Sequence, residues 1–218
     1  MRRRAVALLC VAALAAAAHR VEGQNPAGAS PSEVRLEPVA TSALLAPHPV
    51  VRKALERILA RSARFRDGLE QVSNLGRHVL VLTTDQVAMT SGRAEDSYAL
   101  DDSELAEAVA VADPDSVIRT VVVVLNLDLV QRVARELSLS DRDLADDIDR
   151  ILIHEVYSHA VPLLIEGRPG RCSDPEEGQP AIEACSIRRE NEVRADAGLG
   201  LRTDYGLRSL ALGRRLER

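Results

Sequence analysis

Two histidines and a glutamate lie close together in His154-Glu155-Val156-Tyr157-Ser158-His159, inside the apolar run Ile151 to Ala160. Downstream, Asn191-Glu192-Val193-Arg194-Ala195-Asp196 brings a second acidic cluster. Two imidazoles, a carboxylate and a further free glutamate are the parts of a catalytic zinc site. Such a site needs three protein ligands, an open position for water and a general base beside it.

Spacing decides whether the parts can meet. In the common zinc-peptidase pattern the two His stand at i and i+4 on one helix face. Here the second is at i+5, and on a regular helix, at about 100° per residue, that splays the two by roughly 140°. A π-bulge around Val156 to Ser158 absorbs one added residue, and such bulges are frequent at functional sites. Glu192 and Asp196, at i and i+4, share a face. The first is the expected carboxylate ligand, and the second the expected acceptor for the outer N–H of a ligating His. Glu190 lies on the opposite face and is read as an ordinary surface ion pair with Arg194 at i+4.

The two segments resemble the gluzincin zinc peptidases, whose second motif Asn-Glu-x-x-(Ser/Ala)-Asp is matched by Asn191-Glu192-x-x-Ala195-Asp196. The longer first motif resembles the His-Glu-x-x-Gly-His of the dipeptidyl peptidase III family. It departs from that pattern at Ser158 and, in the second motif, at Asn191, and the chain is far shorter than that enzyme. Residues 189 to 206 also resemble small bacterial effector zincins, with Glu-Asn-x-x-Arg followed by Arg-x-x-Tyr. The resemblance covers about residues 148 to 206. It implies Zn2+ as cofactor, His154, His159 and Glu192 as metal ligands, Glu155 as general base and Asp196 as partner of a ligating His. It also implies an oxyanion donor, for which Tyr205 is the candidate, with packing as its alternative use. Zincins commonly align an extended peptide on an edge strand beside the metal helix, and Val121 to Asn126 is the candidate for that strand.

The elements that must position these residues are readable in outline. Val50 to Gln71 has helical periodicity, and His78 to Thr83 reads as a buried strand. Ser91 to Asp102 is polar and loop-like. Ile118 to Asn126 is rich in β-branched residues and reads as a strand. Leu127 to Leu137 reads as a helix, and Asp141 to Leu164 as a longer one with an acidic opening, which Pro162 is expected to kink or end. Ile187 to Leu199 carries the second motif, and Leu207 to Leu216 reads as a closing helix. Strands come early and helices late, so the expected fold is α+β: zincin-like, a small sheet followed by an active-site helix and C-terminal helices.

The chain begins with Arg2, Arg3 and Arg4, then the apolar Ala5 to Ala18. That is the form of a signal peptide, with cleavage between Ala18 and Gly23, and the run is too short for a membrane span. The expected organisation is a signal peptide over 1–23, a flexible leader over 24–45 and a zincin-like domain over 46–218. Cys10 would leave with the signal, so Cys172 and Cys185 are expected to pair in a secreted or periplasmic protein. The 218-residue chain carries a net −5, and removing the signal's excess of Arg leaves about −8. With no basic stripe, nucleic acid is an unsuitable partner. Aromatics are 2% of residues, so the core must be built from Leu, Val, Ile and Ala. The function expected is a secreted zinc peptidase acting on a protein or peptide. The alternative is a catalytically inactive exported zinc-binding or protein-interaction domain. Oligomeric state is not encoded in anything legible.

Overall fold

The computed structural model describes residues 43–91, 105–112, 117–168, 181–203 and 210–211. The expected signal peptide, the expected leader up to residue 42, Cys172, Tyr205 and most of the expected closing helix lie outside the described residues. Within them the protein mixes α and β structure. The order is β1 (Leu44–Leu45), α1 (Pro49–Arg61), α2 (Ala63–Asn74), β2 (His78–Thr83), α3 (Thr84–Ser91), β3 (Ala106–Ala112) and β4 (Ile118–Leu125). Then come α4 (Leu127–Glu136), α5 (Asp141–Leu152), a π-helical segment (Ile153–Ala160), α6 (Val161–Glu166) and α7 (Ala181–Asp196).

The sheet order is β1-β2-β4-β3. β1, β2 and β4 run parallel, and β3 is antiparallel to β4. Strands of a parallel layer covered on both faces lose the alternation of apolar and polar residues, and Val121 to Leu125 are all buried. Val79, Val81, Val121 and Val123 join the main core with the helices, while Leu80, Leu82, Val122 and Val124 pack on the other face with Val87 and Val111. Two expectations change here. The strand at Val121 to Asn126 is interior, because β3 covers its outer side, so the edge beside the π segment is β3. Leu44 and Leu45, the end of the expected leader, are a strand paired with Val79 and Leu80.

The helix expected over Val50 to Gln71 is two helices. Ser62 separates them with extended backbone, its hydroxyl accepting from Phe65 N–H at 3.2 Å as the cap of α2. α5 starts as its acids predict, with the Ser140 hydroxyl accepting from Asp143 N–H. Pro162 does not end the helix. Val161 N–H donates to Val156 O, five residues back. Pro162 follows with no N–H to place, so the ladder returns to four-residue spacing where no donor is needed, and α6 continues to Glu166. The residues of α5, the π segment and α6 are thus one continuous rod. α7 packs along its π segment, and β3 and β4 lie against the same stretch.

Candidate metal centre

The π segment does what the i+5 spacing requires. Widened hydrogen bonding brings i and i+5 back to the same side, and His154 Nε2 stands 3.1 Å from His159 Nε2. The rings meet edge to face, with centroids 4.6 Å apart at 84°. Two imidazole nitrogens bound to one tetrahedral ion at about 2.0–2.1 Å each stand roughly 3.3 Å apart, so this pair fits a shared metal closely. Ile153, Val156 and Ala160 are fully buried and anchor the segment from behind. Tyr157 stacks on Phe65 of α2, centroids 6.0 Å apart, and so faces away from the histidines. Glu155 is largely buried, and its Oε1 lies 4.0 Å from His154 Nε2, beside the position a metal would take.

α7 supplies the support, through a different carboxylate from the one expected. Glu190, 0% exposed, sets Oε2 3.0 Å from His154 Nδ1. A carboxylate there accepts the Nδ1–H and leaves the Nε2 lone pair free, the usual backing of a metal-binding His. The same oxygen accepts from Arg202 at 3.1 Å, and the other carboxylate oxygen is paired with Arg194, itself 1% exposed. Burial pushes the Glu190 pKa up. The hydrogen bond from His154 and the charges of His154, Arg194 and Arg202 outweigh that and hold the carboxyl below its ordinary value. One helical turn earlier, the Ser186 hydroxyl reaches His159 Nδ1 at 3.5 Å. Burial, and then the neighbouring His154, lower the His159 pKa to about 4, so at neutral pH this imidazole is unprotonated and able to bind metal.

The chain just beyond α7 is held against it. Gly198 takes a left-handed φ of 69°, Leu199 N–H donates back to Arg194 O, and the strand turns to run alongside the helix. Asn191 grips Arg202 by both main-chain groups, donating to its carbonyl and accepting from its N–H at 2.7 Å each. That double bond is what puts the Arg202 side chain beside Glu190.

Glu192 and Asp196 do not join the histidines. Glu192 is 46% exposed and pairs with Arg64 of α2 at 3.5 Å. Asp196 accepts from the Ser62 hydroxyl at 3.0 Å and lies 3.8 Å from Arg64, so it braces α7 against α2. The reading of Glu190 and Arg194 as a surface pair is likewise corrected, because both are buried. The sequence reasoning thus chose the wrong face of α7. The signal for the right one was in the Glu190-Asn191-x-x-Arg194 and Arg202-x-x-Tyr205 pattern, whose described members all take part in the support just outlined. Among the described residues no group of three or more His, Cys, Asp or Glu is arranged to hold a metal. Cys185 on α7 is buried and disulfide-bonded.

No protein-family model, curated protein or solved structure matches the chain.

Proposed function

We propose that this protein is a zinc-dependent peptidase, hydrolysing peptide or amide bonds with His154 and His159 as imidazole ligands and Glu155 as general base. The observation that carries the reading is the 3.1 Å separation of the two Nε2 atoms across the π segment. A bound zinc would supply an acidified water and a Lewis acid for the scissile carbonyl. In this reading Glu155, with Oε1 4.0 Å from His154 Nε2, would accept and hand on a proton there, while Glu190 holds the His154 proton on Nδ1. Among the described residues no third ligand stands beside the two histidines.

The edge strand supports an extended peptide as the substrate class of this reading. β3 ends the sheet and lies beside the π segment. Among the described residues it is an edge strand, and such an edge can pair with an extended peptide. Export remains part of the proposal, resting on the form of residues 1–23.

The test is zinc stoichiometry by elemental mass spectrometry, run on the wild type with Glu155→Gln and His159→Ala. The reading expects one equivalent in the wild type and in Glu155→Gln, loss in His159→Ala, and peptide hydrolysis in the wild type alone. A wild type that takes up no zinc when supplied with it overturns the reading. Zinc without turnover on any peptide supports the inactive zinc-binding alternative.

A further inference from the structure

The Oε2 atom of Glu190 receives two donors, His154 Nδ1–H at 3.0 Å and Arg202 at 3.1 Å. The two donors in turn lie only 3.2 Å apart. A guanidinium nitrogen at that distance from an imidazole nitrogen is a potential hydrogen bond in its own right, because neutral His can present either a proton or a lone pair there. Which it presents depends on what else faces the nitrogen. A carboxylate calls for the proton on Nδ1, which leaves Nε2 bare. A guanidinium alone calls for the lone pair on Nδ1, which sends the proton to Nε2, the atom turned toward His159.

We propose that Glu190 and Arg202 act on His154 in opposite senses: Glu190 holds it in the metal-binding tautomer, and Arg202 is a cation poised to impose the other one whenever the carboxylate is withdrawn. Both are positioning residues, acting through His154. The polarity extends across the site. With Nδ1–H of His154 donating to Glu190, His154 Nε2 accepts from His159 Nε2–H, and His159 Nδ1 accepts from the Ser186 hydroxyl. Every hydrogen bond in this row points toward Glu190. When a cation takes the two Nε2 lone pairs, His159 must move its proton to Nδ1, and the Ser186 hydroxyl can turn from donor to acceptor to receive it. The metal-free protein therefore keeps a hydrogen bond where the ion would sit, and exchanging one for the other requires only a tautomer change at His159 and rotation of one hydroxyl.

This rests on the metal-site reading, and two readouts separate its failure from that of the reading. The first is the ring tautomer of His154 in the zinc-free protein, by 15N NMR of labelled histidine. The second is affinity for Zn2+ against a chromophoric chelator. Arg202→Met removes the guanidinium while the main-chain clamp from Asn191 stays. His154 should keep its Nδ1 proton in this variant, and zinc affinity should fall no more than about threefold. Glu190→Met should move the His154 proton to Nε2 and weaken zinc binding about 10- to 100-fold. Adding Arg202→Met to it should recover at least about fivefold. The proposal is overturned if Arg202→Met alone weakens binding tenfold or more, if His154 keeps Nδ1–H in Glu190→Met, or if the double variant recovers nothing. Should Glu190→Met fail to fold, a loss of Nδ1–H or a tenfold loss of affinity in Arg202→Met would still overturn the proposal. A wild type without zinc affinity defeats the metal-site reading, and the zinc-free NMR tautomers still test this one.

Discussion

Glu190 and Glu192 are the same residue two positions apart on one helix, and they live in different worlds. Glu190 is 0% exposed, bonded to His154 and clamped by two arginines; Glu192 is 46% exposed and leans on Arg64. The difference is a rotation of about 200° around α7. It teaches that a charged helix need not present its charges to water. Where a buried face carries an acid and its partners, charge no longer marks the outside.

The sharpest way to break the comparison is stability. Arg194→Ala leaves Glu190 buried with one partner fewer and should cost about 3–5 kcal/mol. Glu192→Ala removes an exposed pair and should cost less than about 1 kcal/mol. Urea denaturation of the two variants side by side checks this, and similar losses would mean that the two faces are equivalent. Metal affinity comes next. Glu192→Ala should bind zinc within about twofold of wild type, against the 10- to 100-fold loss, about 1.4–2.7 kcal/mol, expected at Glu190. A large loss at Glu192 would return the ligand role to the exposed face.

The third effect is in pH. His159 has its pKa lowered to about 4 in the folded, metal-free protein, chiefly by burial, against an ordinary 6.5. The unfolded chain therefore binds more protons between those values. The stability this contributes is full above about 6.5 and is lost progressively as pH falls from there through 4, on the order of 3 kcal/mol in all. Denaturation midpoints of zinc-free wild type and His159→Gln between pH 7 and 4.5 should converge toward the acid end. Parallel curves would place His159 in water. The smallest effect is at Gly68, where an added Cβ would meet Tyr157 Cε2 at 2.9 Å. Gly68→Ala gains helix propensity and loses packing against the π segment, so thermal melting should show a net loss under about 1 kcal/mol.

These contrasts also explain what could be read in advance. β2, β4 and α4 were legible because their residues answer to one demand each: β-branched runs fill a doubly covered sheet, and α4 carries a clear apolar stripe. α7 has no such stripe. With Arg194, Glu190 and Ser186 inside and Glu192 and Asp196 outward, periodicity could not tell its faces apart. β3 went unread because Ala106-Glu-Ala-Val-Ala-Val-Ala is built from residues that suit helices as well, and only its pairing with β4 makes it a strand. The break at Ser62 was a cap hidden in a continuous apolar rhythm. The π segment, by contrast, followed from counting residues between His154 and His159.

The extra residue in that segment has fixed more than the histidines. Every side chain after it is turned about 100° from where a regular helix would aim it, and Val161 and Leu164 are buried in that rotated frame. Deleting one residue between Glu155 and His159 would restore the common motif spacing, and a helix narrowed back to four-residue bonding would leave α6 in the register it has. The longer and the shorter motif are therefore one residue apart on the same rod.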